Sequence, residues 1–177
     1  MACMDVQMAD PDALAEALFG TDERAKRAYA LARRAHAGQR DKAGAPYILH
    51  PLSVAQGVMA SGDEDALVCA LLHDVVEDGG VDLDEIRQEF GDAAGDAVGL
   101  LTHEEGVPYL DYVRHIAESG SAAAIRCKIS DLAQNLDIAR LPEAGQKDFE
   151  RVEKKYLPAL RILLDRLEKG VADAADE

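Results

Sequence analysis

The stretch Glu64-Asp65-Ala66-Leu67-Val68-Cys69-Ala70-Leu71-Leu72-His73-Asp74-Val75-Val76-Glu77-Asp78 decides the fold. Its apolar residues cover most sides of a helix rather than one stripe, and such a helix has to be surrounded by other elements. A helix from about Glu64 to Val76 therefore sits at the centre of the molecule. Outward from it, segments of 3.6-residue periodicity repeat between Gly and Pro breaks. None alternates strictly with the β-branched and aromatic enrichment of strands, and aromatics make up only 5% of the chain. The expectation is an all-α protein.

On the N-terminal side, Asp10-Pro11 reads as a cap and first helical position for a short helix stopping at Gly20. Thr21 is placed to cap a second helix, about Asp22 to Ala37. A Gly- and Pro-bearing loop, Gln39 to Tyr47, precedes a third helix that starts at His50-Pro51 and runs to about Ala60. After the central helix, Asp82 and Glu85 have capping-box spacing for a helix ending at Phe90-Gly91. Further helices follow over Asp92–Leu101, Tyr109–Ser119, Ser121 to about Ala139, and Gln146 to about Lys169. Pro158 should kink or interrupt the last of these. The expected division is a helical extension over 1–20, one domain over 21–169 and a disordered acidic tail over 170–177.

Four ionisable groups close the central segment, and burying them among apolar neighbours costs several kcal/mol unless they are paired or hold a metal. On a helix, 73 and 77, and 74 and 78, share faces, so an imidazole and up to three carboxylates gather on one side. That set suits a divalent manganese, iron or zinc ion. For Glu77 and Asp78 the plain alternative is a wetted helix end. Lys128, Asp131 and Asn135 recur at intervals of three and four on a later helix and share a stripe, which is either part of a site or a solvated face. Seven of the 19 basic residues lie between Arg24 and Lys42 with one acid, Asp41, among them. A cation cluster of this kind suits an anionic small ligand such as a phosphate ester, or an ordinary solvated face. His36, His103 and His115 read as structural or solvated, and Cys69 and Cys127 as small core residues.

The chain has 177 residues, enough for one sizeable core, with 19 Lys and Arg against 34 Asp and Glu and a net charge of −15. This charge opposes a nucleic-acid backbone or an anionic membrane. Three cysteines without C-x-x-C spacing indicate neither a disulfide framework nor a thiolate zinc site and fit a reducing cytoplasm. Met1 to Asp10 carries acids where a signal peptide carries basic residues, and no stretch reaches the roughly 18 apolar residues that span a bilayer. Neither export nor insertion is expected. Leu157, Leu160, Leu163, Leu164 and Leu167 form an apolar set on the last helix that packs either on the core or on a second subunit, so a homo-oligomer is one outcome.

Three blocks in order carry a resemblance: Arg40 to Pro51 (RDKAGAPYILHP), Ala70 to Asp78 (ALLHDVVED) and Lys128 to Asn135 (KISDLAQN). Together they resemble the hydrolase domain of RelA/SpoT homologues, and in length the stand-alone small alarmone hydrolases, within the His-Asp (HD) superfamily of metal-dependent phosphohydrolases. The likeness covers about Arg24 to Ile138. It implies an all-α HD-domain helical bundle with one Mn²⁺ held by His50, His73, Asp74 and Asp131. It also implies that Glu77 and Asp78 activate and orient water, and that Arg40, Lys42, Tyr47, Lys128 and Asn135 serve the nucleotide. The implied reaction removes the 3′-pyrophosphate of ppGpp or pppGpp, in the cytoplasm and without the synthetase activity of the long family members. Asp41 stands where those hydrolases usually carry an Arg packed on guanine, and an acid cannot make that cation–π contact. The base is therefore left open, with an adenine alarmone, NADPH or a nucleoside monophosphate as alternative substrates, and a silent nucleotide-binding domain as a third reading.

Overall fold

The computed structural model describes residues 10–141 and 143–175. Among them the chain is helical without a strand, and a single isolated bridge pairs Arg40 with Pro46. The elements are α1 (Pro11–Phe19), α2 (Glu23–Ala35), α3 (Leu49–Val58), α4 (Glu64–Leu72), α5 (Leu83–Phe90), α6 (Asp92–Leu101), α7 (Tyr109–Glu118), α8 (Ala122–Leu136), α9 (Gln146–Arg151) and α10 (Leu157–Ala175). The all-α HD bundle expected from the sequence is the observed fold.

The apolar α4 is the central helix. It packs on α2, α3, α6 and α8, and Ala66, Val68, Cys69, Ala70, Leu71 and Leu72 are buried. Each fully buried Leu is worth about 1.5–3 kcal/mol over an exposed one, so this segment alone anchors much of the core. Short polar side chains start the helices. Asp10 accepts from Asp12 N–H, Asp63 from Ala66 N–H, Asp82 from Asp84 N–H and Ser121 from Ala124 N–H. The second helix is capped by Asp22, which accepts from Ala25 N–H, and not by Thr21.

The central helix is shorter than its sequence pattern predicts, ending at Leu72. His73 Nδ1 lies 2.9 Å from Ala70 O, and Val75 N–H donates to Leu72 O in a tighter turn. Gly79 and Gly80 then close the segment. A Cβ at 79 would meet Ala35 Cβ at 2.7 Å, and Gly80 has φ +68°. Residues 73, 74, 77 and 78 therefore ride on a turn instead of stacking along helix faces. Asp78 N–H still donates to Asp74 O at 2.8 Å, which holds the two acids one helical turn apart.

Pro158 also acts as expected. With no N–H, and a ring that crowds the carbonyl four residues back, it does not continue a regular α-ladder. A π-turn over Val152–Tyr156 separates α9 from α10 just before it. The last helix packs on α7 and α8, with Leu163 buried and Leu160 and Leu167 against the core, while Leu157 and Leu164 are exposed. Its backbone is helical through Ala175, so residues 170–175 continue the last helix where a disordered tail is expected. Residues 176–177 of the expected tail, Cys3 and the first nine residues lie outside the described residues.

Candidate metal centre and active site

A close helix crossing puts two of the candidate ligands side by side. Gly57 in α3 faces Ser130 in α8 so tightly that a Cβ at 57 would lie 2.1 Å from Ser130 Oγ. That hydroxyl donates to Val54 O at 2.9 Å and pins the contact. Two turns before Gly57, α3 presents His50, and one residue after Ser130, α8 presents Asp131. The end of α4 inserts His73 and Asp74 between them.

His50 Nε2 is 3.7 Å from Asp74 Oδ2 and 3.3 Å from Asp131 Oδ1; His73 Nε2 is 3.0 Å from Asp74 Oδ2 and 4.0 Å from Asp131 Oδ1. One ligand atom each from His50, His73 and Asp74 lies within 4.8 Å of the others. His73 and Asp131 are 3% and 6% exposed, so this cluster is the floor of a site and not a wetted patch.

The chemistry of His73 tests whether a cation belongs there. Its Nδ1 faces a carbonyl, so Nδ1 carries a proton and Nε2 is the nitrogen turned toward the acids. Among the described residues Nε2 is a buried nitrogen that completes no hydrogen bond. Burial pulls the imidazole pKa down, yet Asp74, with Asp131, pushes it up to about 10. The acids thus call for positive charge at this point, from either a proton or a metal. Two imidazoles and two carboxylates with no thiolate suit a divalent first-row ion. The carboxylates are prepared for it: against the cost of burial, His73 and then His50 hold Asp74 below the usual range, while Lys128 and the two imidazoles hold Asp131 well below.

Other predicted residues secure the floor. Tyr47 O–H donates to Asp74 Oδ2 at 2.6 Å. Lys128 Nζ donates to Asp131 Oδ2 at 2.8 Å and Asn135 Nδ2 to Asp131 Oδ1 at 2.6 Å. Such partners fix a ligand's orientation and tune its basicity. Glu77 Oε2 accepts from His103 N–H at 3.1 Å, tying the turn to the 103–108 loop. The Asp78 carboxyl is raised above its ordinary value by partial burial and by Asp74 and Glu77.

The floor opens into a cleft of about 290 Å³. Arg40, Lys42, Tyr47, His50 and Asn135 line it, and Lys128 lies below on Asp131. Arg40 Nη1 donates to Gly44 O, and Lys42 Nζ is 3.9 Å from Asp148 Oδ1. Asp41 accepts from Ala43 N–H and Ala45 N–H, each at 2.9 Å, and so shapes the loop. The far wall consists of residues that sequence reasoning misses: Asp148, Arg151 and Tyr156 on the C-terminal segment. Their one signal is a basic and aromatic run, RVEKKY, just ahead of Pro158.

An all-helical scaffold carrying a histidine on one helix, a His-Asp pair at the end of the next and an aspartate on a third defines a His-Asp metal-site protein. The chain belongs to the HD domain family, whose pattern matches residues 28–124. It is similar to the GTP pyrophosphokinase of Streptomyces coelicolor, 40% identical over 111 residues that make up 62% of this chain and 12% of that one. It also resembles the guanosine-3′,5′-bis(diphosphate) 3′-pyrophosphohydrolase of Aquifex aeolicus, 36% identical over 97 residues, 54% of this chain and 13% of that one. The chain thus spans about an eighth of the length of these curated relatives. Among solved structures, a metazoan ortholog of SpoT described as hydrolysing ppGpp shares the fold. Its TM-score is 0.65 at 24% identity, over 82% of this chain and 86% of that one.

Proposed function

We propose that this chain is a Mn²⁺-dependent pyrophosphohydrolase that removes the 3′-pyrophosphate of guanosine tetra- or pentaphosphate, with residues 21–169 as its working domain. The observation that carries the reading is the buried Nε2 of His73, facing Asp74 and Asp131 with His50 beside it at the floor of a cleft bordered by Arg40, Lys42 and Arg151. The relatives named for this reaction support it. His50, His73, Asp74 and Asp131 would hold the ion, which when bound lowers the pKa of water and neutralises charge on phosphoryl oxygens.

The remaining steps belong to this chain's own groups. Asp78, whose carboxyl is raised above its ordinary value by partial burial and by Asp74 and Glu77, takes the proton of the attacking water. Glu77 orients that water while anchored to His103 N–H. The water oxygen bonds to the phosphorus next to the ribose 3′-oxygen, the bond between that phosphorus and the 3′-oxygen breaks, and the 3′-oxygen leaves as a hydroxyl after gaining a proton. Arg40 and Lys42, with Asn135, steady the nucleotide in the cleft. The two buried free thiols, Cys69 and Cys127, accord with work in a reducing cytoplasm. Among the described residues, no helix is long and apolar enough to cross a membrane.

One observation favours a second substrate. The Asp41 carboxylate is committed to loop amides, so position 41 offers no cation to stack on guanine. A phosphohydrolase of an adenine alarmone, NADPH or a nucleoside monophosphate has the same floor. Purified protein with Mn²⁺ is incubated with each compound, with elemental analysis of the protein in parallel. The proposal predicts pyrophosphate from ppGpp; phosphate from another compound, with ppGpp untouched, selects the alternative.

A further inference from the structure

Next to the metal floor, cations gather on an aromatic wall, and of these Lys128 is paired to Asp131 and Arg151 to Asp148 at 3.4 Å. Tyr109 and Tyr112 of α7 stand with ring centroids 5.8 Å apart, and Lys128 Nζ lies 5.7 and 5.3 Å from them. On the same wall, Lys155 Nζ sits 3.9 Å from the Tyr109 centroid. Lys128 is ion-paired to Asp131. Lys155 is half-buried and, among the described residues, has no carboxylate within ion-pair distance. Burial, and then its like-charged neighbours Lys128 and Arg151, lower its ammonium, while Asp131 and Glu77 act on it in the opposite sense. A cation held there beside other cations is costly unless an anion joins it.

The backbone shows how Lys155 reaches this position. In the π-turn over Val152–Tyr156 the helix is widened, so residues four and five beyond Arg151 both fall toward the direction of Arg151. In a regular α-turn only the residue four beyond does so. Arg151 and Tyr156 thereby line the cleft while Lys155 lies over Tyr109, toward Lys128. Single π-turns inside helices are frequent at functional sites, and here the turn brings Tyr156 to the cleft beside Arg151 while leaving Lys155 on the wall.

We propose that Lys155, with Lys128 and Arg151 beside it, forms a pyrophosphate subsite on the Tyr109 side of the floor and holds the terminal phosphate of the group that is cleaved off. This assignment rests on the phosphohydrolase reading above and adds the residue that grips the released product. Its chemistry is that of an ammonium binding phosphate oxygens with an aromatic face behind it.

The test is calorimetric titration of inorganic pyrophosphate, and separately of GDP, into the full-length Mn²⁺-loaded protein, using wild type, Lys155→Met and Lys155→Arg. Methionine keeps an unbranched stem over Tyr109 and removes the charge. Lys155→Met is expected to weaken pyrophosphate binding by about tenfold or more, with GDP affinity unchanged and Lys155→Arg within about threefold of wild type. Weaker pyrophosphate binding in Lys155→Met, in a protein that hydrolyses none of the nucleotides tested, keeps the subsite and discards the proposed function. Pyrophosphate affinity unchanged in Lys155→Met, in a protein that cleaves ppGpp, discards the subsite and keeps the function. No pyrophosphate binding by wild type, or a parallel loss of GDP affinity in Lys155→Met, also overturns the subsite.

Discussion

The floor and the mouth of the cleft are built on opposite principles. The floor joins α3 and α8 through a crossing too close for extra atoms and adds the end of α4, and its ionisable groups are buried and paired several times over. Asp131 alone has Lys128, Asn135 and His50 around it. The mouth is made of a loop at 39–47 and a segment at 146–156, whose charged groups are more exposed and meet across longer contacts, such as Lys42 to Asp148 at 3.9 Å. Charges in the floor are desolvated and strongly coupled, whereas charges at the mouth are screened and individually weak. The difference teaches how the proposed function would divide between them: the chemistry in groups that cannot be moved, the choice of substrate in groups that can.

The comparison is broken most severely at Asp131. Asp131→Asn keeps the side-chain volume but removes the charge that balances Lys128 and a cation, so metal content by elemental analysis should collapse and turnover fall by about 10³-fold or more. Lys42→Ala at the mouth should leave metal content intact and raise KM about tenfold, with kcat nearly unchanged. A mouth variant that loses metal, or a floor variant that keeps it, removes the distinction.

A smaller effect is expected where the floor is assembled. Gly57→Ala forces a methyl group against the buried Ser130 hydroxyl, 2.1 Å from an ideal Cβ, and that hydroxyl cannot swing away without giving up Val54 O. Overpacking of this kind costs about 1–3 kcal/mol, to be read as a lower denaturation midpoint. Because His50 and Asp131 flank this crossing, metal affinity should drop with it. Ser130→Gly in the same chain makes room for the methyl group and should recover part of both.

This crossing also marks the limit of what the sequence discloses. The helices are legible because hydrophobic periodicity, caps and Gly and Pro breaks are local signals, and the all-α class follows from them. The end of α4 is not, since a ring nitrogen on Ala70 O and a pair of glycines stop the helix while its apolar pattern continues to Val76. Residue chemistry points to a His-Asp site with carboxylates. That His50 and Asp131 join it is implied by family resemblance alone, because their meeting depends on a contact between α3 and α8 that no spacing encodes. Tyr156 stays hidden for a related reason: in an α-helix it leaves the face that Arg151 and Lys155 share, and only the π-turn brings it back beside Arg151.

The smallest effect separates a buried histidine beside the site from those within it. His36 is buried, its Nδ1 lies 2.8 Å from Gln39 Oε1 and its ring packs 4.9 Å from that of Tyr47. Burial lowers its pKa below the ordinary 6.5, chiefly by desolvation. The folded protein therefore refuses a proton that the unfolded chain accepts once the pH drops below 6.5, so the unfolded state binds more protons there and stability rises with pH. His36 contributes in full above that value, and its contribution fades as the pH falls. The slope from one such group is at most about 1.4 kcal/mol per pH unit. In His36→Gln, denaturant midpoints between pH 5 and 7 should show a shallower acid decline than wild type, with metal content unchanged at pH 7. An equal slope in both proteins would mean that His36 takes up its proton without cost in the folded state, and that the region behind Tyr47 is wetter than its packing shows.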